Sequence, residues 1–192
     1  VIFVRHGQSE ANLTGEDIRD APLTDAGRAQ AASWRGEIGK FGAEVVLVSP
    51  LRRAVQTACL AFEADLGVPI ELCRHARELW WDEQANAPGT PEQMRELLAT
   101  LPRGGDVEEI DEALVPRSDD PATESASVQR MREVLLARAE SVVAVVCHYG
   151  VISDLTGRPS KNCEALECTL TSAGALKVIR HHPHPTIPKS GS

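Results

Sequence analysis

The stretch VIFVRHGQSE (residues 1–10) decides how this chain is read. Four apolar residues run without polar alternation and then stop at Arg5, His6 and Gly7. A strand apolar on both faces belongs in a parallel sheet covered by helices on both sides. EVVLVS (44–49) and SVVAVVC (141–147) have the same character, and PIELC (69–73) completes a set of four expected strands. GALKVIR (174–180) reads as a last strand, pairing with 164–170.

Helical periods fill the intervals. Residues 24–40 place Ala31, Trp34, Ile38 and Phe41 on one face. Residues 50–66 place Leu51, Val55, Cys59, Phe62 and Leu66 on one face, with Ser49 as N-cap, Pro50 at the first helical position and Gly67 past the end. Thr90-Pro91-Glu92-Gln93 forms a capping box that opens a helix with Met94, Leu97, Leu98 and Leu101 inward. Residues 124–140 form another, with Val128, Met131 and Leu135 inward. Strands alternating with helices predict an α/β fold, a three-layer α/β/α sandwich with a mostly parallel central sheet. Length suits one domain over residues 1–180, followed by a Pro-rich, flexible tail at 181–192. Residues 74–89 and 102–122 read as irregular stretches, either lids and specificity loops or, for 102–122, plain disorder.

Composition narrows the function. A formal net charge of −8 argues against nucleic acid and anionic membrane as partners. No stretch is long and apolar enough to span a bilayer, and no basic segment precedes an apolar run from Val1 onward. Five scattered cysteines without a C-x-x-C pair suit reduced thiols in a cytoplasmic setting better than disulfides or zinc. His181, His182 and His184 lack a nearby Cys or Asp partner, so the tail reading outweighs a metal site. Cys147 reads as a buried strand residue rather than a nucleophile.

Position then collects the chemistry. Arg5-His6-Gly7 follows the first strand, Arg52-Arg53 opens the helix after the second, and His148-Tyr149-Gly150 follows SVVAVVC. In a parallel sheet these three groups meet at one carboxyl edge, where open α/β folds bind ligands. Imidazoles and guanidiniums gathered there suit a phosphoryl dianion. A neutral imidazole can attack phosphorus, and arginines stabilise the transferring oxygens without competing as nucleophiles. The leaving alkoxide needs a proton, and Glu78, after PIELC, is the candidate acid.

VRHGQSEAN, LTDAGRAQA, SPLRRAVQTA and VCHYGV, in that order, resemble the histidine phosphatase superfamily, the phosphoglycerate mutase-like proteins with an RHG motif. The resemblance runs from residue 1 to about residue 170 and implies a phosphoglycerate mutase-like fold. It implies phosphomonoester hydrolysis through a phosphohistidine on His6, without metal or other cofactor, on a small phosphorylated substrate such as a sugar phosphate or phosphoprotein. It implies that Arg5, Arg53 and His148 hold the phosphoryl group, that Asn12 is a polar residue of the same pocket, with Ser9 at a motif position, and that Glu78 supplies the proton. NCEALECTL (162–170) resembles the segment leading into the family's closing strands.

Some alternatives stay open at this level. Asp82 and Glu83 crowd the segment of the acid, and Trp80 and Trp81 read equally as pocket wall or as cover for the core. A mutase of the same fold would need a second phosphate site. The sequence after Glu78, WWDEQANAPG, does not match the insertion of longer mutase members, which favours a phosphatase. A catalytically silent phospho-ligand binding module is the reading from a different class.

Overall fold

Burial on both faces explains the central strands. In the computed structural model, which describes residues 1–62 and 67–185, β1 (Ile2–Arg5), β2 (Val45–Val48) and β5 (Val143–Cys147) are almost wholly buried. Ile2, Val4, Val46, Val48, Ala144 and Val146 point into one core; Phe3, Val45, Leu47, Val143, Val145 and Cys147 point into the other. The period of two is present, but both phases are apolar.

β3 (Ile70–Leu72), β4 (Val107–Glu108), β6 (Ala165–Leu170) and β7 (Leu176–His182) complete a sheet of order β4-β3-β2-β5-β1-β6-β7. From β4 to β1 every pairing is parallel; β6 and β7 add antiparallel pairings at one side. Residues from α2 (Asp25–Ala32), α3 (Arg52–Ala61), α4 (Pro91–Leu98) and α5 (Ile110–Leu114) enter one core, and residues from α6 (Glu124–Ala137) and α7 (Tyr149–Thr156) enter the other. A short α1 (Glu10–Thr14), capped reciprocally by Ser9 and Asn12, follows the first turn. The fold is the expected three-layer α/β/α sandwich with a mostly parallel central sheet.

Several boundaries differ from expectation. The helical run expected over 24–40 stops at Ala32, because Gly36 takes a φ of 74° before a 3₁₀ turn at Ile38–Phe41. Ala31, Trp34 and Ile38 are buried nonetheless. Ser49 is not the cap of α3: its N–H donates to Val146 O at 3.0 Å, still in the sheet's register, and Leu51 takes the cap position. Leu66, expected on the α3 face, lies outside the described residues. Residues 124–140 are helical only to Ala137, after which Arg138 turns extended and pairs with Glu71 at 2.7 Å.

The capping box of Thr90 and Gln93 is formed as expected. The 102–122 stretch is not wholly irregular. It contributes β4, paired with β3, and α5, because Val107 and Ala113 are apolar enough to be drawn into the core. β7 runs on through His182, two residues into the tail expected from residue 181, and residues 186–192 of that tail lie outside the described residues. Within the described residues no helix is long and apolar enough to cross a membrane.

Candidate active site

The carboxyl edge of β1 carries the first group. His6 N–H donates to Cys147 O at 3.0 Å, continuing the β1–β5 ladder one residue beyond the strand. Gly7 N–H then donates to Thr57 Oγ1 of α3 at 3.0 Å. A Cβ on Gly7 would stand 2.5 Å from Gly27 O, and one on Gly27 would stand 2.0 Å from Gln8 O. Two side-chain-free positions therefore let the turn lie directly on α2, and VRHGQ and LTDAGRA interlock through backbone.

That turn orients the imidazole. His6 Nδ1 is 2.6 Å from Gly7 O. A carbonyl only accepts, so this contact assigns the proton to Nδ1 and leaves a lone pair on Nε2. The residue is 2% exposed. Burial, followed by the charges of Arg53 and Arg5, holds its pKa well below the ordinary imidazole value, so the ring is neutral at pH 7.

A guanidinium contacts Nε2. Arg53, in the first turn of α3, donates from Nε to His6 Nε2 at 3.3 Å. Its two other nitrogens donate to Ala85 O at 2.6 Å and to Asn86 Oδ1 at 2.7 Å. Arg5 donates from Nη1 to Ser160 O at 2.7 Å and lies 5.5 Å from the centre of the Tyr149 ring. The His148 ring centre is 5.0 Å from that of His6. His148 Nε2 meets Ser49 Oγ at 2.7 Å, and its pKa too is held well below the ordinary value by burial, then by Arg53 and His6. Among the described residues, Arg5 Nε and His148 Nδ1 are buried without a hydrogen-bond partner. The Arg5 Nε–H suits an anion that supplies acceptor oxygens, and His148 Nδ1 does so in the tautomer whose Nε2 accepts from the Ser49 hydroxyl.

Asn12 lies at the rim. Its Oδ1 accepts from Asn162 Nδ2 at 3.1 Å, and Asn162 also donates to His6 O at 3.1 Å. Ser9 caps α1 and lines the cleft.

Glu78 enters the same cleft from the loop after β3. Its carboxyl accepts from the amides of Leu79 and Gly150, both at 3.0 Å. A Cβ on Gly150 would stand 2.6 Å from Glu78 Oε1, so glycine there gives the acid its room. Glu78 is 6% exposed. Burial pushes its pKa up, and the amides, Arg53 and Arg5 pull it down less strongly. Of its acidic neighbours, Asp82 is exposed and outside the cleft lining, whereas Glu83 lines the cleft and accepts from Asn86 Nδ2 at 3.1 Å. Trp80 lines the cleft; Trp81 stacks under Arg77, 5.0 Å from its guanidinium carbon, and donates its amide N–H to Glu124.

Asn86, Thr57, Asn162 and the Ser49 hydroxyl escaped sequence reasoning. Thr57 and Ser49 sit inside the SPLRRAVQTA block, and Asn162 opens NCEALECTL, so their positions were flagged without their roles. Asn86 carried no signal. It is buried, receives Arg53, and donates to Leu79 O, Trp80 O and Glu83, tying the loop of the acid to the guanidinium.

The five cysteines are free and buried, and burial pushes the Cys147 thiol far above its ordinary range, which disfavours a thiolate there. His181 pairs with Glu164 at 2.9 Å and His182 with Glu167 at 3.2 Å. Among the described residues no three His, Cys, Asp or Glu side chains cluster closely enough to hold a metal ion.

A cleft of about 390 Å³ is therefore lined by a neutral, oriented imidazole, two guanidiniums and a buried carboxyl group. The chain belongs to the histidine phosphatase superfamily (branch 1), whose family model matches residues 1–186. It is 29% identical over 169 residues to the glucosyl-3-phosphoglycerate phosphatase of Mycolicibacterium vanbaalenii, a match covering 81% of this chain and 72% of the relative. A shorter match, 32% identical over 80 residues, is to a Schizosaccharomyces pombe protein named a probable phosphatase; it covers 38% of this chain and 37% of that relative. Among solved structures, a candidate α-ribazole-5′-P phosphatase of Escherichia coli superposes with a TM-score of 0.64 at 20% identity, over 97% of both chains.

Proposed function

We propose that this protein hydrolyses small phosphomonoesters through a phosphohistidine on His6. The observation that carries the reading is the 2.6 Å contact of His6 Nδ1 with Gly7 O, which leaves the Nε2 lone pair beside Arg53. In the first step Nε2 bonds to phosphorus, the P–O bond to the alcohol breaks, and Glu78 gives its proton to the departing oxygen. Arg5, Arg53 and His148 hold the phosphoryl oxygens, and Asn12 contributes at the rim. In the second step water attacks phosphorus, Glu78 takes back a proton, and the N–P bond breaks. With two arginines supplying the positive field, no metal is required. The phosphatase relatives support hydrolysis over a mutase reaction.

Rapid quench with labelled substrate tests this reading. The expected result is an acid-labile, base-stable phosphoenzyme on the peptide containing His6, absent in His6→Ala, with turnover surviving excess chelator. A label that survives acid, or that maps to a serine or to Cys147, would overturn it. Full loss with chelator, restored by zinc or magnesium, would overturn its metal independence.

A further inference from the structure

Away from the reacting centre, the cleft wall is acidic and aromatic. Among the described residues that line it, the only arginines or lysines are Arg5 and Arg53. Both are committed beside His6, where their charges bear directly on the imidazole. Arg5 Nε, buried without a partner, calls for one anion at that point. No lining cation is left for a second.

Glu16, Asp17 and Glu83 line the remainder with the rings of Trp80 and Tyr149. Two of these carboxylates are fixed in place. Asp17 accepts the amides of Gln84 and Ala85 at 3.0 and 2.8 Å, and Glu83 holds Asn86 Nδ2. Trp80 is 45% exposed and sits at a φ of 58°, a left-handed conformation that a bulky side chain adopts only when its surroundings impose it. Its ring lies over Gly150, where a Cβ would stand 3.1 Å from Trp80 Cζ3.

We propose that the cleft selects its phosphomonoester by the charge of the leaving alcohol, in the order cationic, uncharged, anionic, with an ammonium-bearing alcohol preferred. The inference rests on the reading of His6 as phosphoryl acceptor. Carboxylates at the wall attract an ammonium group, and the half-exposed Trp80 ring adds cation–π attraction. A leaving group with a carboxylate or a second phosphate meets three acids and no unused cation. Phosphoglycerate-type esters therefore fall at the disfavoured end.

The test is kcat/KM for three small primary alkyl phosphates: 2-aminoethyl phosphate, ethyl phosphate and 2-phosphoglycolate. Wild type is compared with Glu16→Lys, Glu16→Gln and, as a control on β4 outside the cleft lining, Glu108→Lys. The intrinsic reactivity of each ester cancels in the variant-to-wild-type ratio. Glu16→Lys should lower the preference for 2-aminoethyl phosphate over 2-phosphoglycolate by about tenfold at low ionic strength. Glu16→Gln should shift it less in the same direction, added salt should shrink both effects, and Glu108→Lys should leave the preference unchanged. A wild-type preference for 2-phosphoglycolate, or a preference unmoved by Glu16→Lys, overturns the inference while p-nitrophenyl phosphate still labels His6. Failure of every ester to label His6 overturns the reading of the site and this inference together.

Discussion

Glu78 is a carboxyl group placed between opposing influences. Arg53, Arg5 and two amides favour its anion, burial favours its acid, and burial is the larger. A proton donor with a raised pKa keeps its proton to higher pH, so turnover of alkyl phosphates should fall along an alkaline limb lying above the ordinary carboxylate range. In the proposed mechanism His6 must be neutral to attack, and its lowered pKa places the acid limb below the ordinary imidazole value of about 6.5. Glu78→Gln keeps the shape and removes the proton. It should slow phosphorylation of His6 by alkyl phosphates on the order of 10²–10⁴-fold in single turnovers, and by p-nitrophenyl phosphate far less, because that phenolate leaves without a proton. Asp82→Asn and Glu83→Gln should show no such dependence on leaving group. A selective loss with either of them would move the acid role there.

Elements meet here through glycine and through caps, with different consequences. The turn after β1 touches α2 backbone to backbone, and the atoms a Cβ at Gly27 would strike belong to Gln8's main chain. Main chain cannot swing aside as a side-chain tip can, so Gly27→Ala must displace the turn that bears His6. The expected cost is about 1–3 kcal/mol, a fall in Tm of several degrees, accompanied by lost phosphorylation of His6. Thr90→Ala removes the cap of α4, whose residues lie outside the lining of the catalytic cleft. It should cost about 1 kcal/mol while leaving turnover intact. Thermal melts and single-turnover labelling on the same samples check both. Equal effects on activity would mean that the Gly7–Gly27 contact does not set the imidazole.

For the whole molecule, the site imposes a pH dependence on stability. His6 and His148 have folded pKa values well below the unfolded value of about 6.5. Below that value the unfolded chain binds protons that the native state refuses, so their contribution is fully present above about pH 6.5 and is lost on acidification. Glu78 has the opposite sign. Its folded pKa is raised, so the native state gains relative stability as pH falls through that value. Burial also lowers the pKa of His75 and raises that of Asp20, and three imidazoles against two carboxyls predict a net fall in Tm below about pH 6.5. His148→Asn should flatten that slope, and melts from pH 8 to pH 5 measure it. A Tm independent of pH in that range would mean that the imidazoles are not held neutral.

What could be read without coordinates was written in local order. Apolar runs that leave no face polar marked β1, β2 and β5 as interior parallel strands, and the residues closing or following those strands had to share one edge. Arg5, His6 and His148 could be placed at that edge for that reason, and the Arg52-Arg53 pair because helix α3 begins shortly after β2 ends; the choice of Arg53 came from the family resemblance. Which carboxylate is buried in the cleft was a tertiary decision. Glu78, Asp82 and Glu83 lie within six residues, and their placement is set by Arg53 on Asn86, Asp17 on Gln84 and Ala85, and Gly150 on Glu78. Each of those bonds joins residues more than thirty positions apart. Periodicity reports how a segment meets the core, but a loop without periodicity takes its shape from distant partners, and only the folded chain brings them together.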